Sequence, residues 1–168
     1  MSGKDCIYWD TNVFLAYINK DRHFPDEVIQ GIEELALLVD KHQVDLATSA
    51  YTLVEISEAL TPKEAYEKFV AFFSHTNVHL IDTTVKIANS ASHIRSQIKI
   101  QDGNCLGTVD CIHLASSSFF KCKSFYTLDG VNGKKDGILT HSTSLKELLK
   151  LEIERPTRKG PPKLPLDL

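Results

Sequence analysis

Four acidic residues, Asp10, Glu55, Asp110 and Asp129, stand where an α/β chain commonly places its chemistry. Asp10 ends the apolar run Cys6-Ile7-Tyr8-Trp9, and Asp129 ends Ser124-Phe125-Tyr126-Thr127-Leu128. Asp110 falls in the first turn of a helical pattern, and Glu55 rides on a helix after a second short strand. With parallel strands and right-handed crossovers these points gather on one side of the sheet. Gathering has a cost, since two unit charges about 5 Å apart repel by roughly 3 kcal/mol at an effective dielectric near 20. A hard divalent cation with oxygen ligands, Mg2+ or Mn2+, offsets that repulsion. Such an ion also activates water and stabilises charge on a phosphate, which is what phosphodiester hydrolysis requires. Thr11, Asn12 and Thr127 are then expected as polar neighbours that orient a carboxylate or a water.

Each carboxylate also has a purely structural reading. Asp10 suits the N-cap of a helix carrying Val13, Phe14, Leu15 and Ile18. Glu55 suits a solvated helix face, Asp110 the positive end of a helix dipole, and Asp129-Gly130 a turn. His113, one turn after Asp110, is read as a packing or hydrogen-bonding side chain rather than a base. Arg95 and Lys99, and Lys134 and Lys135 in a polar loop, are candidate phosphate contacts set against a solvated basic face. Zinc at Cys105, Cys111 and His113 is disfavoured, because the spacing fits no zinc pattern.

The elements that must position these residues follow from periodicity. A helix from Thr11 to about Asn19 follows the first strand. Pro25, Asp26 and Glu27 open a second helix with Val28, Ile29, Ile32, Leu35, Ala36 and Val39 at helical spacing. Val44 to Thr48 reads as a strand, followed by a helix running to Leu60 with Ala50, Leu53, Val54, Ser57 and Leu60 on one face. Thr61-Pro62-Lys63-Glu64 is a capping box. Val78 to Ile81 reads as a strand, and a long helix follows with Val85, Ala88, Ala91, Ile94 and Ile98 buried. Thr108 caps the helix of Asp110. Ile138 to Thr140 is expected as an edge strand and Ser144 to Leu151 as the last helix. The fold class is α/β: a three-layer sandwich with a central, mainly parallel sheet flanked by helices.

The chain of 168 residues suits one domain, taken as 1–152, with a Pro/Lys/Arg-rich tail over 153–168 that is expected to be extended or disordered. An apolar share of 42% and a charged share of 24% are those of a soluble globular protein, without a signal peptide, anchor or membrane span. The net charge of −3 provides no overall positive field for nucleic acid, so a nucleic-acid substrate needs local basic patches or bound metal. Four cysteines without a C-x-x-C pair point to reduced thiols and a cytoplasmic location.

The ordered set resembles the PIN-domain ribonucleases, in particular toxin nucleases of the VapC type. Ile7-Tyr8-Trp9-Asp10-Thr11-Asn12 looks like the first acidic motif of that family, and Leu53-Val54-Glu55-Ile56 the second. Val109-Asp110-Cys111-Ile112-His113-Leu114-Ala115 is similar to the third, and Tyr126-Thr127-Leu128-Asp129 to the fourth. The resemblance implies a metal-binding role for Asp10, Glu55, Asp110 and Asp129. It also implies RNA cleavage with magnesium or manganese, frequent homodimers and, in the toxin branch, an antitoxin peptide in the cleft. Trp9 directly before the first carboxylate and the Pro/Lys/Arg-rich tail depart from the compact pattern. The competing readings are a catalytically inactive RNA-binding or scaffold module of the same fold, a receiver domain and an Asp-x-Asp phosphatase. The last two are weakened by Thr11 and Asn12 after Asp10, because each wants a further acid there.

Overall fold

Cys6–Trp9 (β1) alternates between two cores, as a strand covered on both faces must. Tyr8 enters one core with Ala47 and Phe125, while Ile7 and Trp9 enter the other with Leu46 and Tyr126. The computed structural model describes residues 3–19, 23–59, 61–99, 105–130 and 137–158. Its other strands are Asp45–Ser49 (β2), Val78–Ile81 (β3), Ser124–Tyr126 (β4) and Glu152–Glu154 (β5). All pair in parallel in the order β3-β2-β1-β4-β5, with Ile7 opposite both Leu46 and Ser124. The chain runs outward from β1 to β3, then returns to the other side of β1. The carboxyl ends of β1 and β4 therefore flank the point where the strand order reverses, where open α/β sheets bind ligands.

Helices complete the three layers expected from the sequence. Thr11–Asn19 (α1), Asp26–Asp40 (α2) and the later Lys63–Phe72 (α4) cover one face, with the short helix Tyr51–Glu55 (α3) between β2 and α4. Val85–Gln97 (α5), Thr108–Phe119 (α6) and Ser142–Leu149 (α7) cover the other. Trp9 is fully buried against Phe14, Tyr17 and Phe72, with ring centroids 5.1–6.0 Å away, so its bulk fills a core and not the strand end.

Several expectations change in detail. The helix after β2 ends at Glu55, and it is Thr52 and Ile56 that are buried, while Leu53 and Val54 are exposed; Leu60 lies outside the described residues. On α5 the buried stripe is Ile87, Ala91, Ile94 and Ile98, and Val85 and Ala88 face solvent at the helix start. Two helix caps differ: Gly107, not Thr108, is the cap residue of α6, and Pro62, not Thr61, is that of α4, with no side-chain cap bond, so the capping box does not form. Ile138–His141 is a 3-10 turn and not an edge strand. The N–H groups of Ile138 and Leu139 are taken by the side chain and carbonyl of Asp129, and β5 occupies the place beside β4.

β5 also spans the 152/153 boundary drawn from composition. Beyond it the chain crosses α2, with Arg155 bonded to Glu27 at 2.9 Å and Arg158 reaching Glu34 at 3.3 Å. The Arg158 N–H donates to the Glu27 carbonyl at 3.0 Å. Composition marks this stretch as extended, but it carries no sign of the ion pairs and the glycine that receive it. Residues 159–168 lie outside the described ones. Gly31 on α2 makes the crossing possible, because a Cβ there would stand 2.5 Å from the Thr157 carbonyl carbon. Gly31→Ala, which in an open helix gains about 1 kcal/mol, is expected here to cost roughly 1–2 kcal/mol and to expose Arg155 and Arg158 to trypsin. Urea denaturation and limited proteolysis check both.

Candidate active site

Asp10 follows β1 directly and continues its ladder, donating its N–H to the Tyr126 carbonyl at 3.0 Å. Its carboxylate is almost fully buried and takes three hydrogen bonds. Oδ1 accepts from the Thr11 N–H at 2.8 Å; Oδ2 accepts from Asn12 Nδ2 and from the Thr127 hydroxyl, each at 2.7 Å. A capping side chain takes the second or third helical N–H, whereas this one takes the first, so the capping reading does not describe Asp10. Burial pushes its pKa up, and His113, Thr127 and the Thr11 N–H oppose the rise.

The three polar neighbours expected from the sequence are engaged. Asn12 Oδ1 accepts from the Leu128 N–H at 2.9 Å, which ties the start of α1 to the end of β4. The Thr127 hydroxyl, donating to Asp10, accepts from Asn12 Nδ2 and the Asp129 N–H, both at 3.1 Å. Thr11 donates its hydroxyl to Glu55 Oε2 at 2.6 Å.

Glu55 is placed by the last turn of α3 and held from α6. His113 Nε2 lies 2.9 Å from Glu55 Oε2 and 3.9 Å from Asp10 Oδ1, and its Nδ1 lies 2.7 Å from the Tyr8 hydroxyl. Burial and the nearby Asp10 hold the Tyr8 phenol protonated. Whether the imidazole is neutral or charged, Nε2–H then faces Glu55, with Nδ1 accepting from or donating to Tyr8. Burial pulls the His113 pKa down, but the Glu55 bond and the Asp10 charge outweigh it and leave it raised. Partial burial pushes Glu55 up, and the bonds from His113 and Thr11 reverse this and hold it below the usual range. Tyr8 is the site residue that sequence reasoning missed. Its signal was present, because positions 8 and 10 share one side of a strand with period two.

Asp110 projects from the first turn of α6, and Asp129 follows β4 after two residues. The Ile138 N–H donates to Asp129 Oδ2 at 2.8 Å. Asp110 is pushed up to about 6, first by burial and then by Asp10 and Asp129. A Cβ at Gly107 would lie 2.5 Å from Asp110 Oδ2, so the absent side chain leaves room for the carboxylate. All four acidic residues line a single cleft of about 590 Å3, with Thr11, Asn12, Leu15, Phe24, Leu128 and Gly130.

The donor set suits a hard cation. Among the described residues, hydrogen bonds fall on Glu55 Oε2 and Asp129 Oδ2, and none reaches Asp110. With respect to the described residues, Glu55 Oε1, Asp129 Oδ1 and both Asp110 oxygens are thus acceptors left open toward the cleft. Also among the described residues, no three acidic, histidine or cysteine side chains already close on one point as a metal cage does. The zinc alternative is not assembled: Cys111 contacts the Leu106 carbonyl, Cys105 the Lys99 amine, and His113 is committed to Tyr8 and Glu55. Arg95 and Lys99 do not line the cleft; Arg95 donates to the Leu106 carbonyl at 3.3 Å and Lys99 lies 3.5 Å from Cys105 Sγ. Lys134 and Lys135 lie outside the described residues.

Residues 7–132 match the family model of the PIN domain, three quarters of the chain. The chain belongs to the PIN-domain family. The match takes in every PIN-domain residue of the acidic cleft and stops before α7, β5 and the crossing of α2. Among solved structures, the chain is similar to VapBC2 from Rickettsia felis bound to a DNA fragment from its promoter. That likeness has 20% identity over 89% of this chain and 97% of the other, with a TM-score of 0.57. It is also similar to VapC20 of Mycobacterium tuberculosis, a sarcin-ricin loop cleaving toxin, with 19% identity over 74% and 90% and a TM-score of 0.54. DNA-bound VapBC from Salmonella typhimurium matches with 18% identity over 89% and 97% and a TM-score of 0.53. At these identities the likeness is one of fold. No curated protein sequence matches the chain.

The raised Asp110 makes the cleft a source of instability with a definite pH sign. The folded chain holds this proton up to about 6, while the unfolded chain releases it near the ordinary 3.8. Stability without metal therefore falls as pH rises through that window. Asp110→Asn is expected to stabilise the metal-free protein at pH 7 by about 1–2 kcal/mol, allowing for screening of this partly exposed group, and by nothing near pH 4. Urea unfolding of both proteins across that range, with chelator present, reads the difference.

Proposed function

We propose that this PIN-domain chain is a metal-dependent endoribonuclease that hydrolyses RNA phosphodiester bonds in the acidic cleft. One observation carries the reading: Asp10, Glu55, Asp110 and Asp129, which are far apart in sequence, line the same cleft at the switch point of the sheet. Mg2+ or Mn2+ held by these carboxylates would supply positive charge for the phosphate and a more acidic water. The remaining work falls to the chain itself. Thr11, Asn12 and Thr127 hold the Asp10 carboxylate against rotation. His113 and Thr11 keep Glu55 ionised, and the Ile138 N–H orients Asp129. Leu15, Phe24 and Leu128 give the cleft apolar walls against which a nucleotide can lie. In-line attack of water on phosphorus breaks the bond to the 3′ oxygen, leaving a 5′-phosphate and a 3′-hydroxyl with no part for the 2′-hydroxyl. Arg95, Lys99, Lys134 and Lys135 are the proposed contacts to RNA beyond the scissile phosphate, since a chain of net charge −3 needs local cations.

The likeness to chains of VapBC complexes supports a toxin role with an antitoxin partner, and the reading includes a homodimer. Free cysteines suit a reducing, cytoplasmic setting, and among the described residues no helix is long and apolar enough to cross a membrane. The test is cleavage of a mixed pool of structured RNAs with magnesium, with manganese and with chelator. Metal-dependent cutting is expected from the native chain and none from folded Asp10→Asn. Thr127→Val, which leaves every carboxylate in place but removes one donor to Asp10, is expected to lower activity or metal affinity by about 10–100-fold. Full activity in Asp10→Asn would overturn the assignment. No cutting by folded native protein with either metal would favour the binding-module reading.

A further inference from the structure

Two cysteines meet at the end of the sheet opposite the cleft, and nothing in the proposed hydrolysis uses them. Cys6 opens β1, Cys122 lies just beyond α6, and their sulfurs are 3.4 Å apart. Both positions are set by backbone. The Cys6 carbonyl accepts from the Lys123 N–H at 2.7 Å, extending the ladder in which Ile7 pairs with Ser124. α6 closes in a Schellman turn: Lys121 takes a left-handed φ of 60°, its N–H donates to the Ser118 carbonyl at 3.1 Å, and the Cys122 N–H donates to Ser117 at 3.0 Å. The sulfurs are thus brought close by two rigid elements, and the remaining approach to a bond is about 1.4 Å.

The two thiols differ in access. Cys6 is half-buried and lines an open cleft of about 480 Å3 whose charged walls are Lys4, Lys121 and Lys123 together with Asp5 and Asp45, Lys123 being paired with Asp5. Cys122 is buried, and its hydrogen bond to Cys6 together with that burial holds its proton well above the ordinary thiol range. Cys6 is accordingly the entering nucleophile and Cys122 the thiol behind it.

We propose that Cys6 and Cys122 are a dithiol–disulfide pair that closes by exchange with a small-molecule disulfide, oxidised glutathione. The Cys6 thiolate attacks one glutathione sulfur, forming a mixed disulfide and releasing one glutathione thiolate. Cys122 then loses its proton to solvent and attacks the Cys6 sulfur, releasing the second glutathione. Two protein thiols are oxidised by two electrons, and one glutathione disulfide is reduced to two thiols. The bond joins residues 116 positions apart. It staples β1 to α6, the elements that carry Tyr8 and Asp10, and Asp110 and His113, at their far ends.

The full chain incubated with oxidised or with reduced glutathione tests this through thiol titration, peptide mapping and thermal melting. Oxidation is expected to lower the four free thiols to two, to give an intramolecular Cys6–Cys122 link in the map, and to raise the melting temperature by roughly 10 °C. Reduced glutathione reverses all three. The double variant Cys105→Ser/Cys111→Ser behaves like the native chain, and Cys6→Ala shows neither link nor shift. Glutathione retained on Cys6, a link between two chains, a link through Cys105 or Cys111, or four thiols surviving oxidation would each overturn the proposal. None of these readings depends on RNA cleavage, so the pair and the nuclease stand or fall separately.

Discussion

A carboxylate buried beside other carboxylates is the constraint around which this structure is arranged. Asp10 is nearly inaccessible and has Asp110 and Glu55 among the charges that raise it or that it raises. It remains in place because three donors reach it from two directions: the Thr11 N–H, the Asn12 amide and the Thr127 hydroxyl. Two of those donors belong to α1 and the third to the segment after β4. The same bonds that hold the charge therefore join β1, α1 and β4 into one rigid corner. A buried charge-assisted network with its members satisfied is stiff, and stiffness is what the proposed phosphate chemistry would need.

The opposite wall of the cleft is built by a different device. Tyr8 belongs to the core by area and to the site by its hydroxyl, and it fixes His113, which in turn fixes Glu55. Packing is thereby converted into orientation, since the sheet that places Tyr8 also determines where Nε2 of His113 points. His113 is within ion-pair distance of Asp10 and Glu55 and offsets part of their negative charge, whereas its field at Asp110 is outweighed by burial, Asp10 and Asp129, which leave that pKa raised. An acidic site left destabilised in this way is ready to gain from a cation, at the expense of stability without one.

Backbone space is the third element of the design. Gly107 leaves room for the Asp110 carboxylate, Gly130 takes a left-handed φ of 102° just after Asp129, and Gly31 admits the segment that crosses α2. Two of the three serve the cleft. The third lets the chain beyond the PIN-domain match cross the helical layer after β5 has paired with β4.

The sequence by itself determined the layer architecture and the identity of the four carboxylates. Strand and helix periods are local properties, and Asp10, Glu55, Asp110 and Asp129 each stand at a boundary that those periods make visible. Asn12, Thr11 and Thr127 were legible for the same reason, being one or two residues from a carboxylate. The tertiary structure decided whatever depended on partners distant in the chain. The one-and-a-half-turn α3 is such a case, because Thr52 and Ile56 are buried where an isolated helical wheel favours Leu53 and Val54. The turn at Ile138–His141 is another, since its donors are claimed by Asp129 nine residues earlier. So are the Tyr8–His113–Glu55 chain, the contact of Cys6 with Cys122 and the crossing of α2 by residues 155–158. Each rests on a hydrogen bond, an ion pair or a missing Cβ between elements that local pattern treats as independent. Only a fold that fixes β1 against α6, and α2 against the end of the chain, brings those groups within reach of one another.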